Sequence, residues 1–246
     1  MSRQGAYLVT GAGSGIGQAI AKKIIEQGHL VFGLGRSFQK LEDASRSLPS
    51  FSFSAVDLSQ TLDTQRVCEE VRAWLKEKKL PLLGLVNNAA IFERVSFLES
   101  SDEVWQSHFN NNLMSAVRLT RELLPELKRS APSSILNISS TLGLRPVQNT
   151  SSYSAFKAAM INWTQSLALE CASEKVRSNC ICPGLVDTPM HPFHNKKSGS
   201  ENVDKMQPLG RVGQPEDIAH AAWFLLSEQS NWTTGAVLAV DGGINL

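Results

Sequence analysis

The sequence predicts an α/β fold, in which one doubly wound parallel sheet of about seven strands carries helices on both faces across the 246 residues. Three observations predict it. Short β-favouring runs recur along the whole length, and stretches of helical spacing separate them. The strand runs are apolar throughout instead of alternating, as strands buried on both faces are. Strand–helix alternation of this kind specifies a parallel sheet wrapped on both sides.

The elements follow in order. Ala6-Tyr7-Leu8-Val9-Thr10 is the first strand and ends in a glycine cluster. From Gly15 to Gly28, Ile16, Ala19, Ile20, Lys23 and Ile24 keep helical spacing, and Gly28 supplies the stop. Leu30 to Leu34 is the second strand, 51–56 the third, 61–79 a helix and 82–86 the fourth strand. A helix over about 102–129 precedes the strand 134–138, and a helix over about 153–173 precedes the strand 176–181. Residues 237–240 form the seventh strand. No linker, repeat or low-complexity segment intervenes, so the expectation is a single domain over 1–246. The least regular stretch, about 188–213 with Pro189, Pro192, Gly199, Pro208 and Gly210, reads as a substrate lid.

Composition narrows the function classes. Hydrophobic residues make up 42% of the chain, charged residues 19%, and the formal net charge is +1. That balance leaves no basic footprint for nucleic acid or anionic lipid, the one short basic spot being Lys196-Lys197. No apolar run approaches the ~18 residues of a membrane span. The first residues enter a strand-like run directly, and the expectation is a cytoplasmic protein. Cys68, Cys171, Cys180 and Cys182 form no C-x-x-C pair; Cys180 and Cys182 alternate along a strand and read as core. His191-x-x-His194 lies in a loop-like stretch where shared-face geometry is not assured, and no metal site is expected.

Chemistry starts at Thr10-Gly11-Ala12-Gly13-Ser14-Gly15-Ile16-Gly17, between the first strand and the first helix. Glycines there permit a tight turn and close backbone approach, and the helix N-terminus offers free N–H groups to a diphosphate. This is the signature of a Rossmann-type dinucleotide site. The second strand ends Leu34-Gly35-Arg36-Ser37, with an arginine and no carboxylate. An acid there would suit the ribose hydroxyls of NAD(H), whereas Arg36 suits a 2′-phosphate, so NADP(H) is favoured, with NAD(H) the alternative. Tyr153 and Lys157, four apart at the start of a helix, share one face. Ser139 and Ser140 close the preceding strand, at the sheet edge where such folds bind ligands.

With these residues in place the sequence resembles the short-chain dehydrogenase/reductase family over essentially its full length. The resemblance rests on the glycine turn, Asp57, Asn87-Asn88-Ala89, Asn112, Ser140, Tyr153 with Lys157, and Pro183-Gly184. Ala90 departs from the pattern, standing where the family usually has glycine. The resemblance implies hydride transfer between a nicotinamide and a carbonyl or secondary alcohol carbon. Tyr153 would act as the general acid in reduction, Ser140 would hold the substrate oxygen, and Asn112 would anchor a water that relays protons to Lys157. A phenol pKa near 10 lies about three units above neutrality, or about 4 kcal/mol. A lysine charge about 4 Å away at an effective dielectric near 20 supplies about as much.

The implied cofactor-binding set is Gly11, Ser14, Gly15, Ile16, Gly17, Arg36, Asp57, Leu58, Asn88, Ala89, Tyr153, Lys157, Pro183, Gly184, Val186 and Thr188. Substrate-facing candidates are Phe92, Arg94, Thr141, Leu142, Gly143, Leu144, Arg145, Asn149 and the stretch Met190 to Met206. Within the family the sequence is most similar to 3-oxoacyl-carrier-protein reductases, which implies a small-molecule substrate, possible 3-oxoacyl thioester chemistry and a homotetramer. An NAD-dependent alcohol, sugar or hydroxysteroid dehydrogenase is the alternative enzyme. A non-catalytic nucleotide sensor is the remote alternative, opposed by the presence of Ser140, Tyr153 and Lys157.

Overall fold

In the computed structural model, which describes residues 3–190 and 206–246, seven strands form one parallel sheet in the order β3-β2-β1-β4-β5-β6-β7. The strands are β1 (Ala6–Thr10), β2 (Leu30–Gly35), β3 (Phe51–Ala55), β4 (Leu82–Asn87), β5 (Ser133–Ile138), β6 (Val176–Pro183) and β7 (Val237–Val240). The helices are α1 (Gly15–Glu26), α2 (Phe38–Ser47), α3 (Thr61–Lys78), α4 (Asp102–Phe109), α5 (Ser115–Arg129), α6 (Ser151–Cys171) and α7 (Pro215–Leu226).

The period of two in β1 shows why both faces need cover. Tyr7 and Val9 join a cluster with Ile20 and Ile24 of α1, Leu41 of α2 and Ala222 of α7. Ala6 and Leu8 join the opposite cluster with Val67 and Val71 of α3, Leu119 and Leu123 of α5, and Leu167 of α6. A strand apolar at every position has one cluster for each side. β1 pairs with β2 on one edge and β4 on the other, so the chain reverses its winding at β1. That reversal leaves a crevice outside the carboxyl ends of β1 and β4, where ligands of such sheets bind.

Two differences from the sequence reading have local causes. The stretch 102–129 is not one helix: a π-helical turn, Asn110–Met114, separates α4 from α5. Side chains there compete for main-chain carbonyls. Asn111 Nδ2 donates to Ser107 O at 2.9 Å and Ser115 Oγ to Asn111 O at 2.6 Å. Helices α2 and α7 escaped the periodicity reading. Helix α2 buries only Leu41 and Ala44, too little for an apolar stripe, and Ser37 caps it by accepting from Lys40 N. Helix α7 is marked by local chemistry, with Pro215 in its first turn and a capping box between Gln214 and Asp217.

Of the expected lid, residues 191–205 lie outside the described residues, as do His191, His194, Lys196 and Lys197. Its flanks are anchored. Val186 and Gly213 form a parallel bridge, with Asp187 N donating to Gly213 O and Gly213 N to Leu185 O.

Candidate active site

A cavity of about 550 Å³ opens along the carboxyl ends of the strands. Its floor at the switch point is the glycine turn. Gly11 and Gly15 adopt φ of +66° and +54°, which disfavours any residue with a Cβ. Ser14 caps α1 with no side-chain hydrogen bond, so the first turn keeps its N–H groups for an acceptor from outside. Gly11, Ser14, Gly15 and Ile16 line the cavity. Gly17 does not: a Cβ there would lie 2.2 Å from Gly11 O, so it lets helix and turn pack closely beneath the site.

Thr10 and Asn88 lock the turn to β4. Thr10 Oγ1 accepts from the N–H groups of Asn88 and Ala89, each at 2.9 Å, and Asn88 Nδ2 donates to Thr10 O at 2.9 Å. At the far end Arg36, Asp57 and Leu58 line the cavity. Sequence reasoning missed their neighbours Ser37, Lys40 and Ser59. Lys40 sits one helical turn beyond the cap, and its Cβ would be 3.0 Å from a Cβ on Gly13. The signal was available: Arg36-Ser37-x-x-Lys40 puts two cations and a helix N-terminus together, a donor set for a phosphate monoester.

The residues expected to do the acid–base chemistry converge from the end of β5 and from α6. Ser140 follows β5 and accepts from Leu142 N at 3.1 Å through its hydroxyl, opening a 3-10 turn, Thr141–Gly143. A Cβ at Gly143 would meet Lys157 C at 2.8 Å, so this turn packs directly on α6. Tyr153 and Lys157 lie one turn apart on α6, Lys157 Nζ at 5.7 Å from the Tyr153 ring centroid. Phe92 meets the same ring edge-on at 4.9 Å. Ser140, Tyr153 and Lys157 all line the cavity, as do Pro183, Gly184, Val186 and Thr188 beyond β6.

Burial sets the electrostatics. It pushes the Tyr153 phenol up to about 12, partly opposed by a hydrogen bond with Ser140. It pulls the Lys157 ammonium down to about 8. Lys157 Nζ donates to Ile138 O at 2.8 Å, and loss of water disfavours its charged form. Asn112 is fully buried and off the cavity wall, its Oδ1 accepting from Ile91 N at 2.8 Å and its Nδ2 donating to Ile91 O at 3.0 Å. Its visible task is to hold the segment that carries Phe92.

The substrate-facing candidates divide. Phe92, Arg94, Thr141, Leu142, Met190 and Met206 line the cavity; Gly143, Leu144, Arg145 and Asn149 do not. Val147, Leu185 and Ile244 line it without having been foreseen. Ala90, the departure from the family pattern, is on the wall as well. Among the described residues no cluster of side chains could hold a metal ion, and no helix is long and apolar enough to cross a membrane.

Comparison with known proteins agrees with this geometry. The family model described as enoyl-(acyl carrier protein) reductase matches residues 11–245. The chain is 37% identical over 242 residues to a 3-oxoacyl-(acyl-carrier-protein) reductase of Chlamydia trachomatis, covering 96% of each. It is 33% identical over 239 residues to L-xylulose reductase of Bos taurus, covering 96% of this chain and 94% of that one. Among solved structures it is similar to L-sorbose reductase from Gluconobacter frateurii complexed with NADPH and L-sorbose, with TM-score 0.91 and 30% identity over 98% of this chain and 97% of that one. It is also similar to an actinorhodin polyketide ketoreductase variant with NADPH, with TM-score 0.89 and 29% identity over 98% of this chain and 97% of that one. Sequence, sheet order and cleft agree: this chain belongs to the short-chain dehydrogenase/reductase family, oxidoreductases that act on carbonyl and alcohol groups.

Proposed function

We propose that the protein is an NADPH-dependent reductase of a carbonyl on an apolar substrate, in the class of 3-oxoacyl thioesters. The observation that carries the substrate class is the apolar share of the cavity lining. Phe92, Leu142, Val147, Met190, Met206 and Ile244 present hydrocarbon and thioether surface to the cavity, which Arg94 also lines. A polyhydroxylated sugar in such a pocket would leave hydroxyls without partners, at a cost of about 1–3 kcal/mol each. Similarity to 3-oxoacyl-(acyl-carrier-protein) reductases supports the same class.

The donor set fits the cofactor. The glycine turn and the α1 N-terminus would hold the diphosphate, and Arg36, Ser37 and Lys40 the 2′-phosphate. Asp57, Leu58, Asn88 and Ala89 would hold the adenosine end, and Pro183, Gly184, Val186 and Thr188 the nicotinamide end. Bound NADPH supplies a hydride to the carbonyl carbon. Ser140 holds the substrate oxygen through its hydroxyl as negative charge develops. Tyr153 gives its phenolic proton to that oxygen, completing the alcohol, and Lys157 stabilises the tyrosinate left behind. Asn112 fixes the backbone at Ile91 and so the Phe92 wall; a buried amide also suits a water in the proton path to Lys157. The chain acts as a single catalytic domain. The chain assembles as a homotetramer.

The test is a panel of 3-oxoacyl thioesters of increasing chain length, L-xylulose and L-sorbose, each with NADPH and NADH, followed at the nicotinamide absorbance. Turnover of the thioesters with NADPH, with KM falling as the chain lengthens, is expected. Preference for a sugar, or for NADH, overturns the reading.

A further inference from the structure

Beside Tyr153, outside the residues assigned above, stands a buried imidazole. His108, in the last turn of α4, is 1% exposed. Its Nδ1 shares a hydrogen bond of 2.8 Å with Oγ of Ser152, which is also buried and immediately precedes Tyr153. The imidazole meets the Tyr153 ring edge to face, with centroids 6.1 Å apart and planes at 75°. Phe92 meets the same phenol ring edge to face, and Lys157 lies over it.

A polar pair in a buried helix seam is a costly way to fill space. An apolar side chain of the same volume would pack there without the loss of water. Nε2 of His108 is buried and has no partner among the described residues, so there the ring is only half used as a hydrogen-bonding group. What the pair achieves is directional. It ties the helix that leads into Asn112 to the first turn of the helix that carries Tyr153 and Lys157. It fixes that turn at the residue adjoining the phenol. The second fastening of the turn, Thr150 Oγ1 to Ser154 Oγ at 2.9 Å, is local to α6 and cannot set its position against α4. Burial holds the His108 ring below its ordinary pKa, with Glu93 opposing, which keeps it neutral and compatible with the aromatic edge.

We infer that His108, acting through Ser152, is a positioning residue for the reductase reaction: it sets where the Tyr153 hydroxyl stands relative to the substrate oxygen. The inference rests on the reading of Tyr153 as the proton donor. Misplacement of a reacting group by about 1 Å costs up to ~100-fold in rate. His108→Phe keeps a ring of similar shape and removes the bond to Ser152; Ser152→Ala removes the bond from the other side. Both are expected to lower kcat about tenfold, while KM for NADPH and the folded fraction at assay temperature, read by circular dichroism, stay at wild-type values. The double variant is expected to fall no further than either single, because both break one bond. His108→Asn, whose amide can present a donor or an acceptor to Ser152, is expected to recover a large part of kcat.

Wild-type kcat in both single variants overturns the inference. So does a loss that follows the folded fraction or appears only in KM for NADPH, each the sign of a merely structural role. Tyr153→Phe is assayed alongside. If that variant turns over normally, the assignment of the proton donor fails first; if it is inactive while His108→Phe is normal, the positioning role alone fails.

Discussion

Tyr153 and Lys157 have been driven apart in proton affinity by one cause, the loss of water, with the phenol up to about 12 and the ammonium down to about 8. As a donor, Tyr153 therefore stays protonated across the neutral range. Tyr153→Phe removes the phenolic proton proposed for the substrate oxygen, and a loss of roughly 10²–10⁴ in kcat at unchanged NADPH affinity is expected from steady-state assays. The pH dependence follows from Lys157. Its charged form, proposed to stabilise the developing tyrosinate, is present below about pH 8 and lost above it. In the reduction direction kcat/KM for NADPH, which reports groups of the free enzyme, should fall as pH rises through 8; a profile level to pH 10 contradicts this. At the other end of the cavity, Arg36→Ala should raise KM for NADPH by about 10–100-fold, the worth of a charge-assisted contact to phosphate, and leave KM for NADH unchanged. The Gly turn, Tyr153 and Lys157 were readable because each is a fixed interval between chemically specific residue types. Val147, Leu185 and Ile244 were not, because apolar wall residues carry no spacing and come from separate loops.

Elements built from strong period were legible to within a few residues, as α3 and α6 show against the expected 61–79 and 153–173. Elements built from caps and turns were not, and α7 is the instructive case. Asp217 accepts from Gln214 N at 2.7 Å and receives both guanidinium nitrogens of Arg211, at 2.7 and 2.8 Å. One carboxylate therefore caps α7 and ties down the segment that returns from the expected lid. Arg211 holds the carboxyl at about 2, below its ordinary 3.8. Because the folded value is depressed, this contribution is fully present above about pH 4 and disappears as pH falls toward 2. Asp217→Ala should cost about 1 kcal/mol, a shift of roughly 2–4 °C in melting temperature at neutral pH. Thermal melts from pH 7 to pH 2 should show the two proteins converging in acid; a difference that persists at pH 2 would assign the loss to something other than the carboxylate.

At the scale of the molecule, a net charge of +1 leaves anion binding to local devices, and the cavity supplies two, the α1 N-terminus and the Arg36–Lys40 group. The proposed assembly would draw on exposed apolar residues around α4 and α6. On α6 Leu167 is buried in the protomer and Trp163 packs against the core, whereas Leu169 is 83% exposed. Phe97 and Leu98, just before α4, are 68% and 96% exposed. Light scattering is expected to give a mass near four chains of 26.9 kDa, and Leu169→Glu to shift it toward smaller species. A monodisperse single chain for the wild type contradicts the tetramer.

The position of β1 between β2 and β4 has a consequence in time as well as in space. Thr10 Oγ1 donates to Val86 O, a partner 76 positions along the chain. The crevice exists only once that distant pairing has formed, and each parallel neighbour in the sheet demands its own long crossover. Loop closure over such separations precedes the contacts that reward it, so the protein belongs among slow folders, with unpaired β1 edges exposed while β4 is still being made. Newly synthesised chains are thus most vulnerable to association with one another before the dinucleotide site has any shape at all.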